Sequence, residues 1–213
     1  MIVERIARHY SGPWLRCYAR GKLSRDPVFA AAFDLLKDSP LPVLDVGCGV
    51  GLFEFYLRER GFLPPLCGVD FDAAKIARAQ QIAGRAYRDI AFAVGDVLAT
   101  GEFRGHVVLF DVLHYLSSAR QAALLGHLAG HVAPGALCLI RATPRGANWR
   151  FRVTKFQEFL LHASRWMKSG ARHYGTAEEI AAPFRARGFA CEVRPLWEGT
   201  PFNSHFFVFR APG

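Results

Sequence analysis

Long apolar runs are missing from this chain: no stretch approaches the ~20 residues that a membrane-spanning helix needs. The opening MIVERIARHY mixes charge into its apolar residues, unlike a secretory leader, so a cytoplasmic protein with no membrane span is expected. Cysteine is sparse and unpaired. Cys17, Cys48, Cys67, Cys138 and Cys191 form no CxxC pair, which excludes a zinc knuckle, and an odd, scattered set encodes no disulfide framework. No metal site is expected. Acid is in short supply, with 18 Asp and Glu against 27 Lys and Arg and a net charge of +9. Much of the excess is arginine, whose fork suits carboxylates and phosphates. An anionic partner and a biased genome composition explain that excess equally well.

What is present is a chain of 213 residues, 51% hydrophobic, enough for a single domain, 1–213, with a substantial core. PLPVLDVG is a short apolar run ending in a glycine turn, which reads as a buried strand; LFEFYLRERG then alternates apolar and charged residues at helical spacing and stops at Gly61. The alternation continues. LCGVDFD, IAFAVGD, HVVLFDVLHYL and GALCLIRAT read as strands, with helices AAKIARAQQIAG, closed by Gly84, and SSARQAALLGHLAGHV between them. Such a series implies a doubly wound α/β fold, a mostly parallel sheet with helices on both faces. The last third opens with a Thr-capped helix, TAEEIAAPFRARG, followed by FACEVRPLW and SHFFVFRA, which read as a C-terminal antiparallel hairpin.

Two segments fall outside the alternation: N-terminal helices over 1–37, broken at Gly12-Pro13 and Asp26-Pro27, and a helical insertion over 143–173. Both are expected to form a lid, since ligands of open α/β sheets bind beyond the C-terminal strand ends.

The stretch LDVGCGVG carries the chemistry. Gly47, Gly49 and Gly51 are spaced G-x-G-x-G, and Leu52 stands where a dinucleotide fingerprint places its third glycine; no Gly-Lys-Ser/Thr follows, which excludes a P-loop. Asp45, two residues ahead, would repel a pyrophosphate but attract the ammonium and sulfonium charges of S-adenosyl-L-methionine. Glycines without Cβ let the backbone, including that of Cys48, approach the methionine end, and the helix N-terminus behind them can receive its carboxylate.

With CGVDFD, FAVGD and FDVLHYL in order after that loop, residues 41–142 resemble the class I, seven-stranded S-adenosylmethionine-dependent methyltransferases. The resemblance implies Asp70 on the ribose hydroxyls, Phe71 against the adenine face, and Asp96 with the Val97 backbone at the adenine amino group. It also places Asp111, Val112, Leu113 and His114 near the transferring methyl. Asp72 is well placed as a helix N-cap, and a turn residue after the strand is the other reading of Asp96. His127 and His131 fall on a helix surface pattern.

Methyl transfer is an in-line displacement, so the protein aligns the acceptor and, where needed, removes its proton. His114 is the candidate catalytic base, with loop packing as its other role. The Asn-Pro-Pro-Tyr motif for planar amines is absent, as is the Pro-Cys pair of cytosine C5 methylation, which disfavours two nucleic-acid chemistries. The insertion holds Arg145, Arg150, Arg152, Lys155, Arg165, Lys168 and Arg172 against Glu158, with Val153, Phe156, Phe159, Leu160, Ala163 and Met167 at the spacing of an amphipathic helix. Together with Tyr10, Trp14 and Tyr18, it suits an aromatic or apolar acceptor carried on something anionic: an acyl carrier protein, a carboxylate or a phospholipid surface. Tyr10, Trp14, Tyr115 and Arg150 are the candidate substrate contacts. The segment WLRCYARGKLSRDPVF is similar to small bacterial methyltransferases of aryl-polyene and polyketide pigment pathways, which implies a small aromatic or acyl acceptor. RNA is the alternative acceptor, and a non-catalytic cofactor-binding module the third reading.

Overall fold

The computed structural model describes residues 1–99, 101–146, 148–154, 171–197 and 201–213. Seven strands form one mostly parallel sheet in which, counted along the chain, the third, second, first, fourth, fifth, seventh and sixth lie side by side. The chain divides into two compact units, Met1–Val108 and Leu109–Gly213.

The first unit begins with three helices, α1 (Ile2–Ala7), α2 (Pro13–Arg25) and α3 (Pro27–Leu36). The breaks fall where the sequence predicts them. Gly12 takes φ 81° ahead of Pro13, and Asp26 caps α3 by accepting from the Val28 amide at 3.1 Å ahead of Pro27. Then come β1 (Val43–Val46), α4 (Leu52–Glu59), β2 (Leu66–Asp70), α5 (Ala73–Ala86), β3 (Ile90–Val94) and a 3-10 turn at Val97–Ala99, followed by β4 (His106–Phe110), within which the boundary between the units falls. β2 lies parallel to both β1 and β3, and its register sets Gly68 beside Asp45.

The second unit contains a 3-10 turn at Leu113–Tyr115, α6 (Ser118–His131), β5 (Leu137–Ala142), α7 (Ala177–Arg185), β6 (Ala190–Pro195) and β7 (His205–Arg210). β7 runs antiparallel to both β5 and β6, as expected of the closing hairpin. Thr176 and Glu179 form the reciprocal capping box of α7. Phe184 stacks on Phe209 at 4.0 Å, with the buried Phe207 beside Phe209 on the same face of β7.

Three local expectations are corrected. α5 runs through Gly84 to Ala86, because a lone glycine costs a helix only about 1 kcal/mol. HVVLFDVLHYL is not one strand: it stops at Phe110, and Asp111, at φ 59°, turns the chain into the 3-10 turn. His131 is buried, its ring nitrogen 2.9 Å from that of His127, so these two histidines pair in place of facing solvent. Within the expected insertion, residues 149–154 are helical; Lys155, Phe156, Phe159, Leu160, Ala163, Arg165, Met167 and Lys168 lie outside the described residues. No helix among the described residues is long and apolar enough to cross a membrane.

Candidate active site

In the first unit the glycine loop is held by backbone geometry that glycine alone adopts freely. Gly47, Gly49 and Gly51 have φ of 81°, 58° and 80°, and a Cβ at Gly51 would stand 2.7 Å from the Phe92 ring. Contacts from outside pin the loop. The Gly47 amide donates to the Val69 carbonyl at 2.7 Å, the Tyr10 hydroxyl donates to the Val50 carbonyl at 2.9 Å, and the Gly49 amide donates to Asp70 Oδ2 at 3.0 Å. Asp70 Oδ1 accepts from the Asp72 amide at 2.8 Å, so this one carboxylate ties the loop after β1 to the turn after β2. Each of its oxygens keeps a second lone pair for a ligand hydroxyl.

Beneath the loop lies a group of buried acids. Asp45 is 4% exposed, and burial, reinforced by the charge of Asp70, pushes its carboxyl up to about 8. Glu54, on the first turn of α4, is 1% exposed; burial first, then Asp45 and Asp70, raises it well above the usual carboxylate range. Cys48 is inert by the same cause, its thiol pushed up by burial and by the acids around it. A glycine-walled loop over carboxyl groups that burial holds back from ionising favours an arriving cation, beside which they can ionise, over a pyrophosphate, so these residues fit a sulfonium cofactor.

Elsewhere in this unit, Phe71 is 75% exposed beside Asp70, available for stacking on a planar ring. Asp72 caps α5, accepting from the Ala74 and Lys75 amides at 3.1 and 3.3 Å. Asp96 is exposed and accepts from the Leu98 amide at 3.1 Å, with Val97 buried behind it. Tyr10 is buried and packs by Phe55, which puts it in support of the loop; Trp14 is half exposed and stacks on Tyr18 at 5.6 Å.

In the second unit Asp111 is gripped by the buried Arg141 of β5, with Nε 2.7 Å from Oδ1 and the second guanidinium nitrogen on Oδ2. Leu113 and His114 are buried in the turn that follows. The His114 ring lies 4.0 Å from that of Tyr115 and stacks parallel to Tyr174 at 6.1 Å. Its carbonyl accepts from the Arg172 amide at 2.7 Å, so the turn and the segment around 171–176 are joined. Buried Gln121 reinforces the joint: its amide nitrogen lies 2.8 Å from the Leu113 carbonyl and 2.9 Å from that of His173. Next to this joint is a cavity of 330 Å³ lined by Arg145, Phe151, Ala171, Arg172, His173 and Tyr174.

Arg150 lies between two indoles, its guanidinium 4.7 Å from the Trp149 ring and 4.8 Å from the Trp197 ring. Asn203 fixes this stretch to the β6–β7 connection. It donates to the Pro144 carbonyl at 2.8 Å, accepts from Asn148 at 3.1 Å, and its own amide donates to Thr154 at 2.9 Å.

Glu54, Gln121, Arg141, Tyr174 and Asn203 are absent from the residues that the sequence nominates. Glu54 had a faint signal, a lone acid inside LFEFYL, but helical alternation assigns it to a charged outer face. Gln121 and Asn203 act on backbone carbonyls far along the chain, which residue type and spacing do not announce.

The methyltransferase domain family matches residues 15–192. The chain is 26% identical over 188 residues to the demethylmenaquinone methyltransferase of Deinococcus radiodurans, covering 80% of this chain and 76% of that protein. It is 31% identical over 93 residues to the ribosomal protein L11 methyltransferase of Burkholderia vietnamiensis, a match spanning 44% of this chain but only 29% of that longer relative. Among solved structures, the magnesium protoporphyrin IX methyltransferase of Synechocystis with bound S-adenosylhomocysteine superposes with a TM-score of 0.69 at 20% identity, covering 98% of this chain and 93% of that one. With glycine loop, strand order and family match in agreement, the chain belongs to the methyltransferase domain family and has its seven-stranded class I fold.

Proposed function

We propose that this methyltransferase acts on a small aromatic or acyl molecule carrying an anionic group, free or borne on an acyl carrier protein. The observation that supports this reading is the chemistry of the 330 Å³ cavity, in which Arg145, Arg172 and His173 stand beside the rings of Phe151 and Tyr174. Cationic donors fix an anion and aromatic faces take a planar body, while a cavity of this size admits a small molecule. The named acceptors of the relatives, a demethylated quinone and a ribosomal protein, differ too widely to decide the class.

On the cofactor side, Asp45 and the loop Gly47–Cys48–Gly49–Gly51 would receive the methionine end, Asp70 the ribose, and Phe71, Asp96 and Val97 the adenine. The bound cofactor supplies an electrophilic methyl on a sulfonium. His114 would hold the proton that an acceptor hydroxyl loses, its ring set by Tyr115 and Tyr174. Arg141 fixes Asp111, and thereby the start of the turn that carries His114.

A methyl-transfer screen across phenols, carboxylic acids, acyl carrier proteins and RNA tests the reading. An anionic aromatic or acyl acceptor is expected, and the Arg145→Glu, Arg172→Glu variant should raise its KM at least about tenfold while the affinity for S-adenosylhomocysteine holds. Unchanged KM in that variant would overturn the cavity as the acceptor site. Turnover confined to RNA, with a steep salt dependence, would overturn the substrate class.

A further inference from the structure

Glu54 is the buried ionisable group that the proposed chemistry leaves unused. Among the described residues neither of its carboxyl oxygens has a hydrogen-bond partner, a condition that native structures rarely tolerate without a reason. Its side chain leaves the first turn of α4 toward the middle of β2. There a Cβ at Gly68 would collide with Glu54 Oε1, and would lie 2.8 Å from Cys48 Sγ and 2.7 Å from Phe92 Cδ1. Gly68 is also the register partner of Asp45. Two buried carboxyl groups and the centre of the glycine loop therefore converge on one α-carbon.

The groups that face Glu54 are all acids. β1 contributes Asp45, β2 contributes Cys67 and Asp70, the loop contributes Cys48, and Tyr10 follows α1; each either acts on Glu54 or is raised by it. Tyr87, beyond α5, bears on Tyr10, and β3 supplies only the Phe92 ring. The lysine beside the loop, Lys75, is exposed and approaches Gly49 on the α5 side, with its side-chain Cδ 4.0 Å from a Cβ built there. Ionising both carboxyls here would leave two like charges buried without compensation.

We infer that the buried acids Asp45 and Glu54 are protonated in the free protein and together give up a proton to solvent when the cationic cofactor settles on the glycine loop, so that cofactor binding is coupled to proton release. The inference rests on the reading of that loop as the cofactor site. The bond broken is a carboxyl O–H, and the proton passes to buffer. The ammonium and sulfonium that arrive supply the positive charge that the acids otherwise lack. S-adenosylhomocysteine, whose sulfur is a neutral thioether, should displace less of the proton.

Calorimetric titration of the full chain near pH 7, in phosphate and in Tris, tests this through the dependence of the observed heat on the ionisation enthalpy of the buffer. About one proton should leave per S-adenosylmethionine bound, and distinctly less for S-adenosylhomocysteine. Glu54→Gln should still bind but lose most of the release. Wild-type binding with no buffer dependence would overturn the inference, as would equal release for the two ligands or full release in Glu54→Gln. Should Glu54→Gln fail to fold, the wild-type comparison of the two ligands decides alone. No binding of either ligand would overturn the loop reading itself, and the inference with it.

Discussion

Gly68→Ala probes the packing beneath the loop with a single methyl group. Gly68 sits mid-strand in β2 and needs no left-handed backbone, so any penalty comes from contact and not from strain. The added Cβ would meet Glu54 Oε1, Phe92 Cδ1 at 2.7 Å and Cys48 Sγ at 2.8 Å, and all three side chains are buried. Overpacking of this kind costs about 1–3 kcal/mol. For a chain of this length each kcal/mol lowers Tm by about 3 °C, so the fall should be roughly 3–9 °C by scanning calorimetry. The same substitution in a Glu54→Ala background has one of its three obstacles removed, and its cost should shrink, a coupling that the double-mutant cycle reads directly. A Gly68→Ala protein with wild-type Tm would refute the packing of Glu54 against β2.

Two further outcomes are expected. Asn203→Ala removes the bonds to Pro144 and Asn148 and leaves a buried carbonyl unmet, so it should lower the urea-unfolding free energy by about 1–3 kcal/mol; no loss would show that Asn203 does not anchor the 143–154 stretch. Because the Asp45 carboxyl is raised to about 8, and Glu54 is raised as well, the folded state binds more protons than the unfolded chain. Stability from these groups is therefore fully present below the ordinary carboxylate range and declines as pH rises toward about 8; urea midpoints measured across that window should fall more steeply for wild type than for Glu54→Gln.

The sheet was legible because its strands announce themselves by composition. Val43–Val46 and Leu137–Ala142 are short apolar runs bounded by turn residues, and burial of every residue in them matches that pattern. The glycine loop was legible for a similar reason, since Gly47, Gly49 and Gly51 are required by positive φ and no other residue type substitutes freely. Pro13 and Pro27 marked helix starts at the positions where a missing amide costs nothing. The capping box of α7 was equally local.

What stayed hidden was decided by tertiary burial. α4 buries every residue from Leu52 to Leu57, so its inner face cannot be found by looking for the side opposite the charges, and Glu54 was concealed by the rule that usually reveals an amphipathic helix. The same burial separates the two acids from their ordinary behaviour. Asp45 could be recognised from its place two residues ahead of the loop, yet nothing in the sequence marks Gly68 as the position that lets Glu54 approach it. A side chain at Gly68 would have denied Glu54 its place beside Asp45. The absence of a single Cβ on β2 thus converts one recognisable acid into a buried pair, and the chemistry of the pair belongs to the fold more than to either residue.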